Sequence, residues 1–187
     1  MTPGSKAFYR FTKPVLFLLC LVPLLILCLR AFEVANLGLG ANPVEELLHQ
    51  MGRWGLKFLL ITLAVTPLRR LTGWSWLVRF RRMLGLFAFF YVLLHFLVYA
   101  VLDQGLEMAL VLEDIIKRPY ITLGMTGLVL LIPLALTSTR GMMRRLGKSW
   151  VKLHKLVYII AILGVWHFYW QVKLDTAEAL IYAVVLA

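Results

Sequence analysis

The sequence predicts an all-α integral membrane protein, a single bundle of six transmembrane helices with the sixth incomplete. Three observations predict it. Hydrophobic residues make up 61% of the 187 and the mean hydropathy is +0.85, against roughly 45–50% apolar residues in a soluble domain. The apolar residues gather into runs close to the ~20 needed to cross a bilayer. The charges lie mostly between these runs, with acids and bases on alternate connections.

Residues Met1 to Lys13 form a basic tail carrying Lys6, Arg10 and Lys13, and span one runs over about residues 14–29. Pro14 suits a first helical position, and Pro23 is expected to kink the span. The run is too long for a removable signal peptide and lacks its small-residue cleavage site. Asn42-Pro43 followed by Glu45 and Glu46 reads as a capped helix start with acids in its first turn. It predicts an interfacial helix to about Gln50 that leads into span two, residues 54–68, ending at Pro67-Leu68-Arg69-Arg70. A basic link to Arg82 precedes span three, residues 83–102, and an acidic link from Asp103 to Asp114 precedes span four, residues 120–136. Arg140, Arg144, Arg145 and Lys148 lead into span five, residues 150–170. The last apolar segment, 178–187, is too short to cross and is taken as an unfinished sixth span. No internal repeat stands out along the chain.

The charge pattern sets the orientation. The tail, the link between spans two and three, and the region from Arg140 to Lys155 hold most of the 20 Lys and Arg, while all nine Asp and Glu fall in the other connections. The positive-inside rule then places the N-terminus and the basic links in the cytoplasm. The net charge of +11 is thus an orientation signal with affinity for anionic lipid, and nucleic acid is not an expected partner. Cys20 and Cys28 read as small buried apolar groups. No Cys-x-x-Cys-His sequence occurs, so covalent haem attachment is not indicated.

Ionisable residues inside the runs point to chemistry, because lipid offers their polar atoms no partner. His95 lies twelve residues into span three, about 18 Å along the helix. His167 lies seventeen residues into span five, which runs in the same direction. The two reach similar depth in the outer half of the bilayer, the arrangement for axial ligands on opposite faces of one haem b. The bland alternative is two hydrogen-bonded polar residues. Gly85 and Gly164 are candidates to accommodate the macrocycle, and Tyr91 and Tyr99, four residues either side of His95, to line the pocket or to bond a propionate.

His154 lies near the cytoplasmic end of span five. Fourteen residues before His95, where a second ligand would lie on the same face of span three, stands Arg81. Arginine is a poor iron ligand but a good partner for phosphate or propionate. The pair fits a flavin phosphate, a haem with an unusual second ligand, or an interfacial cation cluster. On an ideal helix His154 and His167 are roughly 140° apart, so either they do not share one face or a local bulge or kink lies between them. His49, ahead of span two, reads as a surface histidine.

The run LGLGANPVEELLHQMGRWGLKFLLITLAVTPLRR, the run RPYITLGMTGLVLLIPLALTSTRGMMRRLGKSWVKLHKLVYII with His154 and then His167, and the place of His95 resemble the MsrQ (YedZ) family and, more widely, ferric-reductase-like transmembrane domains. The wider group pairs histidines on two helices, whereas Arg81 replaces one of them here. The resemblance implies a multi-pass protein of the bacterial inner membrane that binds haem b. It implies electron transfer to a periplasmic, molybdenum-dependent methionine sulfoxide reductase that repairs oxidised envelope proteins. Electrons would come from a cytoplasmic flavin reductase or the quinone pool, with FMN a second associated cofactor. No Gly-x-Gly-x-x-Gly opens a helix after a strand, so NAD(P)H oxidation is expected on another protein, and no catalytic substrate site is expected on this chain. Two other classes compete: a transporter using its histidines for protons or metal ions, and a cofactor-free assembly subunit. The transporter would call for acids within the spans, and the five full spans have none.

Overall fold

The computed structural model describes residues 5–34, 38–172 and 177–186, and every regular element among them is helical. Four helical stretches are long and apolar enough to cross a bilayer: Lys6–Ala31, Ser75–Asp103, Pro119–Leu136 and Lys148–Gln171. The exposed leucines, isoleucines and valines of these stretches are what lipid-facing helices present, since hydrocarbon solvates them as well as a core does. The chain is an all-α membrane protein. It divides into two compact units, Met1–Val98 and Tyr99–Ala187.

In the first unit α1 spans Lys6–Ala31, with Ser5 as its N-cap accepting from the Phe8 amide. The helix begins eight residues before Pro14, so both Pro14 and Pro23 lie inside it. The basic tail is thus no helix boundary. Lys6, Arg10 and Lys13 are instead helical, because long cationic side chains can reach water from a helix end.

Pro23 has no amide hydrogen and obstructs the carbonyl one turn back. The Tyr91 hydroxyl, fully buried, serves this part of the ladder. It donates to the Cys20 carbonyl at 2.8 Å and accepts from the Leu24 amide at 3.1 Å. These backbone groups are four residues apart, the spacing of a helical hydrogen bond. Tyr91 is therefore a wedge between helices, and its hydroxyl is engaged within the protein rather than held for a propionate.

Helix α2, Pro43–Thr72, starts as expected, with Asn42 accepting from the Glu45 amide and Pro43 at the first position. It then continues through Pro67 as one helix of 30 residues and ends at Gly73, whose φ of 74° suits glycine. The interfacial segment and span two are thus one unbroken helix, which ends two residues past the expected stop at Pro67-Leu68-Arg69-Arg70. Arg53 and Lys57 at one end and Arg69 and Arg70 at the other bracket its apolar stretch. Helix α3, Val78–Leu97, follows a 3₁₀ turn at Ser75–Leu77 and runs on into a π-helical turn, Val98–Asp103. Span three is thus longer than residues 83–102, and its last turn is widened. Helices α2 and α3 form the most extensive contact of this unit. Gly55 allows it: a Cβ there would lie 2.7 Å from Val92 Cγ2 and 3.2 Å from the Val92 amide nitrogen.

In the second unit the amphipathic α4, Met108–Lys117, leads into α5, Pro119–Leu136. Asp114 joins them by accepting from Tyr99 Oη at 3.0 Å and pairing with Arg118 Nε at 3.1 Å. The Tyr99 hydroxyl is thereby committed to a carboxylate rather than a haem pocket. Two short helices follow, α6 over Arg140–Leu146 and α7 over Lys148–His154, then α8 over Leu156–Gln171 and α9 over Ala177–Leu186. The basic link is therefore largely helical. Span five is interrupted at Lys155, between its two histidines. Helix α8 packs most extensively on α5.

Candidate functional site

Arg81 and His95 belong to the first unit, His154 and His167 to the second. Among the described residues no three His, Cys, Asp or Glu side chains come together as a metal-binding group. A haem asks less of the protein, because the porphyrin supplies four nitrogens and the chain only the axial ligands.

His95, half-buried on α3, is fixed from α2. Its Nδ1 lies 2.8 Å from the Leu48 carbonyl oxygen. A carbonyl can only accept, so Nδ1 carries the hydrogen, and Nε2 is the nitrogen with the in-plane lone pair. The same ring lies over Gly52, one turn further along α2, where a Cβ would stand 3.0 Å from Nδ1 and 3.1 Å from Cε1. His167 on α8 is held from α5 in the same manner. Its Nδ1 lies 2.6 Å from the Tyr120 carbonyl oxygen, and a Cβ on Gly124 would stand 3.0 Å from both Nδ1 and Cε1. An outer hydrogen bond of this kind fixes tautomer and ring orientation in metal-ligating histidines. The donor chemistry at both positions suits a haem iron.

His154 shows a weaker version. Its Nδ1 lies 3.1 Å from the carbonyl of Trp150, one turn back in its own helix, and its ring stacks on Trp150 at 3.8 Å between centroids. Trp150 is in turn anchored by Nε1 donating to the Thr137 carbonyl at 3.0 Å. Nε2 of His154 lies 3.5 Å from Ser138 Oγ, at the limit of a hydrogen bond. Arg81 is exposed and donates from Nη1 to Thr66 Oγ1 at 3.2 Å. His49, read as a surface residue, is half-buried on α2.

The residues that sequence reasoning missed are Gly52 and Gly124. Gly85, singled out for close approach to a macrocycle, would place a Cβ 3.5 Å from Thr62 Cγ2 in ordinary contact. The only sequence signal for the missed pair is their shared setting, Gly-x-x-Gly-Leu-x-x-Leu, at 52–59 and again at 124–131.

Residues 51–165 match the family described as ferric reductase like transmembrane component. That range includes Arg81, His95 and His154 and stops two residues before His167. Several curated proteins, each named protein-methionine-sulfoxide reductase heme-binding subunit MsrQ, are similar over most of the chain. The one from Rhodospirillum rubrum is 51% identical over 189 residues, covering 100% of this chain and 89% of its own length. That from Xanthomonas oryzae pv. oryzae is 51% identical over 170 residues, covering 89% and 78%. That from Ralstonia nicotianae is 50% identical over 181 residues, covering 95% and 82%. No solved structure matches the chain.

Proposed function

We propose an electron-relay function from one premise: the chain belongs to the MsrQ family, the haem-binding subunits of protein-methionine-sulfoxide reductase, within the ferric-reductase-like transmembrane group. The observation that carries the reading is the state of His95 and His167. Each has Nδ1–H tied to a carbonyl of a neighbouring helix, leaving the Nε2 lone pair as the one suited to iron. We assign His95 and His167 as the axial ligands of one low-spin haem b in the outer half of the bilayer. A haem so ligated supplies reversible one-electron redox chemistry.

The protein residues hold the imidazoles in one tautomer and one orientation. Histidine at both coordination positions would suit such a group to carrying electrons rather than binding a substrate. The acceptor in this reading is a periplasmic, molybdenum-dependent methionine sulfoxide reductase, and the donor is a cytoplasmic flavin reductase or the quinone pool. The chain sits in the bacterial inner membrane with its N-terminus and basic links in the cytoplasm, as the segregation of acids from bases supports. A count of six spans includes α2 and α9.

The inner end is assigned to His154 and Arg81. They are separated from the outer ligands by thirteen and fourteen residues of chain, or about 20 Å of helix. That is long for one efficient electron step. His154 and Arg81 are therefore the candidate contacts for a second cofactor, through a flavin phosphate, as in FMN, or a haem propionate.

The test is a reduced-minus-oxidised visible spectrum of the purified protein and of His95→Ala and His167→Ala. The wild type should show a low-spin b-type spectrum, and each variant should lose most of its haem. Full haem content with an unchanged spectrum in either variant would sink the ligand assignment.

A further inference from the structure

The surroundings of His95 and His167 are the same construction made twice. In each unit one helix supplies a carbonyl and, four residues later, a glycine, and a second helix supplies a histidine 47 residues after the carbonyl. The sets are Leu48, Gly52, His95 and Tyr120, Gly124, His167. Each member of the second lies 72 residues after its counterpart in the first. With that register in hand, the segments 48–95 and 120–167 align without a gap. Gly55 and Leu56 fall on Gly127 and Leu128, and Leu59 falls on Leu131; all six of these residues are buried. Thr66, which accepts from Arg81, falls on Ser138, the neighbour of His154. The sequence alone did not disclose this repeat, because outside these positions the two segments share little.

The shared geometry has a physical reason. In an α-helix the carbonyl of residue i accepts from the amide of residue i+4 with one lone pair. A second donor can reach the other lone pair from the side. An imidazole that does so lies across the backbone near residue i+4, where a side chain would occupy its space. Glycine at that position removes the obstacle. At Gly52 the three atoms nearest a Cβ all belong to the His95 ring, and at Gly124 all three belong to the His167 ring. The closest would be at 3.0 Å in each case, so the ring must shift by a few tenths of an ångström to admit a methyl group. A shift of that size lengthens the carbonyl hydrogen bond and re-aims Nε2.

We propose that Gly52 with the Leu48 carbonyl, and Gly124 with the Tyr120 carbonyl, are two copies of one ring clamp that positions the ligating imidazoles. The proposal rests on the haem ligation assigned above. Gly52 and Gly124 are positioning residues and touch no iron themselves. Each unit therefore contributes one pre-oriented ligand.

The test compares Gly52→Ala and Gly124→Ala with two control glycines, on α5 and α6. Gly127 on α5 and Gly141 on α6 have nothing within 4 Å of a Cβ. Helix propensity favours alanine at all four sites, so a helix-stability effect alone would not separate the pairs. Haem-free protein is titrated with hemin, and the ferric complexes are examined by electron paramagnetic resonance. The clamp variants should bind hemin about 10-fold or more weakly, the usual effect of losing an outer-shell partner, with displaced low-spin g values. The controls should match the wild type. Nitrogen-15 spectra of the haem-free protein should show the Nδ1–H tautomer at His95 and His167 and its loss at the affected histidine in each clamp variant. If Gly52→Ala folds poorly, adding His95→Ala should restore helicity by removing the obstructing ring; failure to do so overturns the clamp. Wild-type hemin affinity and g values in both clamp variants, while His95→Ala and His167→Ala lose haem, overturn the clamp and leave the ligand assignment standing. Retention of haem by the histidine variants overturns both.

Discussion

Tyr91→Phe separates a structural role from a haem role at a single oxygen atom. The Tyr91 side chain is fully buried, stacks on Phe58 at 5.2 Å, and donates to Cys20 O and accepts from Leu24 N of α1 at 2.8 and 3.1 Å. Phenylalanine keeps the ring and its packing, so the loss is confined to two hydrogen bonds. A typical net contribution is about 1 kcal/mol each, rising to roughly 1–3 kcal/mol for every buried group left unpaired. The two backbone groups are four residues apart on one helix and can close on each other, which recovers part of the loss. The expected destabilisation is therefore about 1–2 kcal/mol. At roughly 2–4 °C per kcal/mol for a chain of this size, that is a fall of several degrees in the melting temperature. Thermal melting in detergent followed by circular dichroism reads this, and a potentiometric haem titration on the same samples reads the other role. The expected result is a lowered melting temperature with an unchanged haem spectrum and midpoint potential. An unchanged melting temperature accompanied by a shifted potential would refute the wedge and return Tyr91 to the haem pocket.

Other perturbations follow from the same geometry. Gly55→Ala sets a methyl group against Val92 and should destabilise the α2–α3 pair by about 1–3 kcal/mol; Val92→Ala in the same chain should recover part of this in a melt, and a wild-type melting temperature for Gly55→Ala would show that the helices are not in close contact there. Asp114→Ala removes the acceptor of both Tyr99 and Arg118 and should cost roughly 1–3 kcal/mol, more than Tyr99→Phe, which removes one bond; equal losses would mean that the Arg118 pair contributes nothing. His154→Ala and Arg81→Lys should each slow haem reduction from a cytoplasmic flavin donor in stopped-flow measurements while leaving the outer haem spectrum intact, the lysine because it keeps charge but loses the bidentate fork. Wild-type reduction rates with full cofactor content in both would remove the inner site.

What the sequence by itself determined is tied to local composition. Runs of apolar residues specify membrane helices wherever they occur, because every backbone polar group in hydrocarbon must be satisfied within its own helix. Span four, expected over 120–136, forms at Pro119–Leu136, and the Asn42 cap works as its residue types predict. His95 and His167 stood out because an imidazole within an apolar run lacks a partner in lipid. The helix ends were less legible. Pro14 and Pro67 sit inside helices that a local rule would end, and cationic residues extend spans that a hydropathy boundary would clip.

The tertiary structure decided what each polar group does. The Tyr91 hydroxyl serves a helix about 70 residues earlier in the chain, and Tyr99 reaches Asp114 rather than a cofactor. The tautomers of His95 and His167 are set by carbonyls 47 residues upstream, and backbone carbonyls leave no trace in residue identity. Only their consequence is written in the sequence, as a glycine one turn beyond each carbonyl. A glycine means close approach only when a partner is near, and which helix draws near is settled by packing at long range, not by the residues on either side.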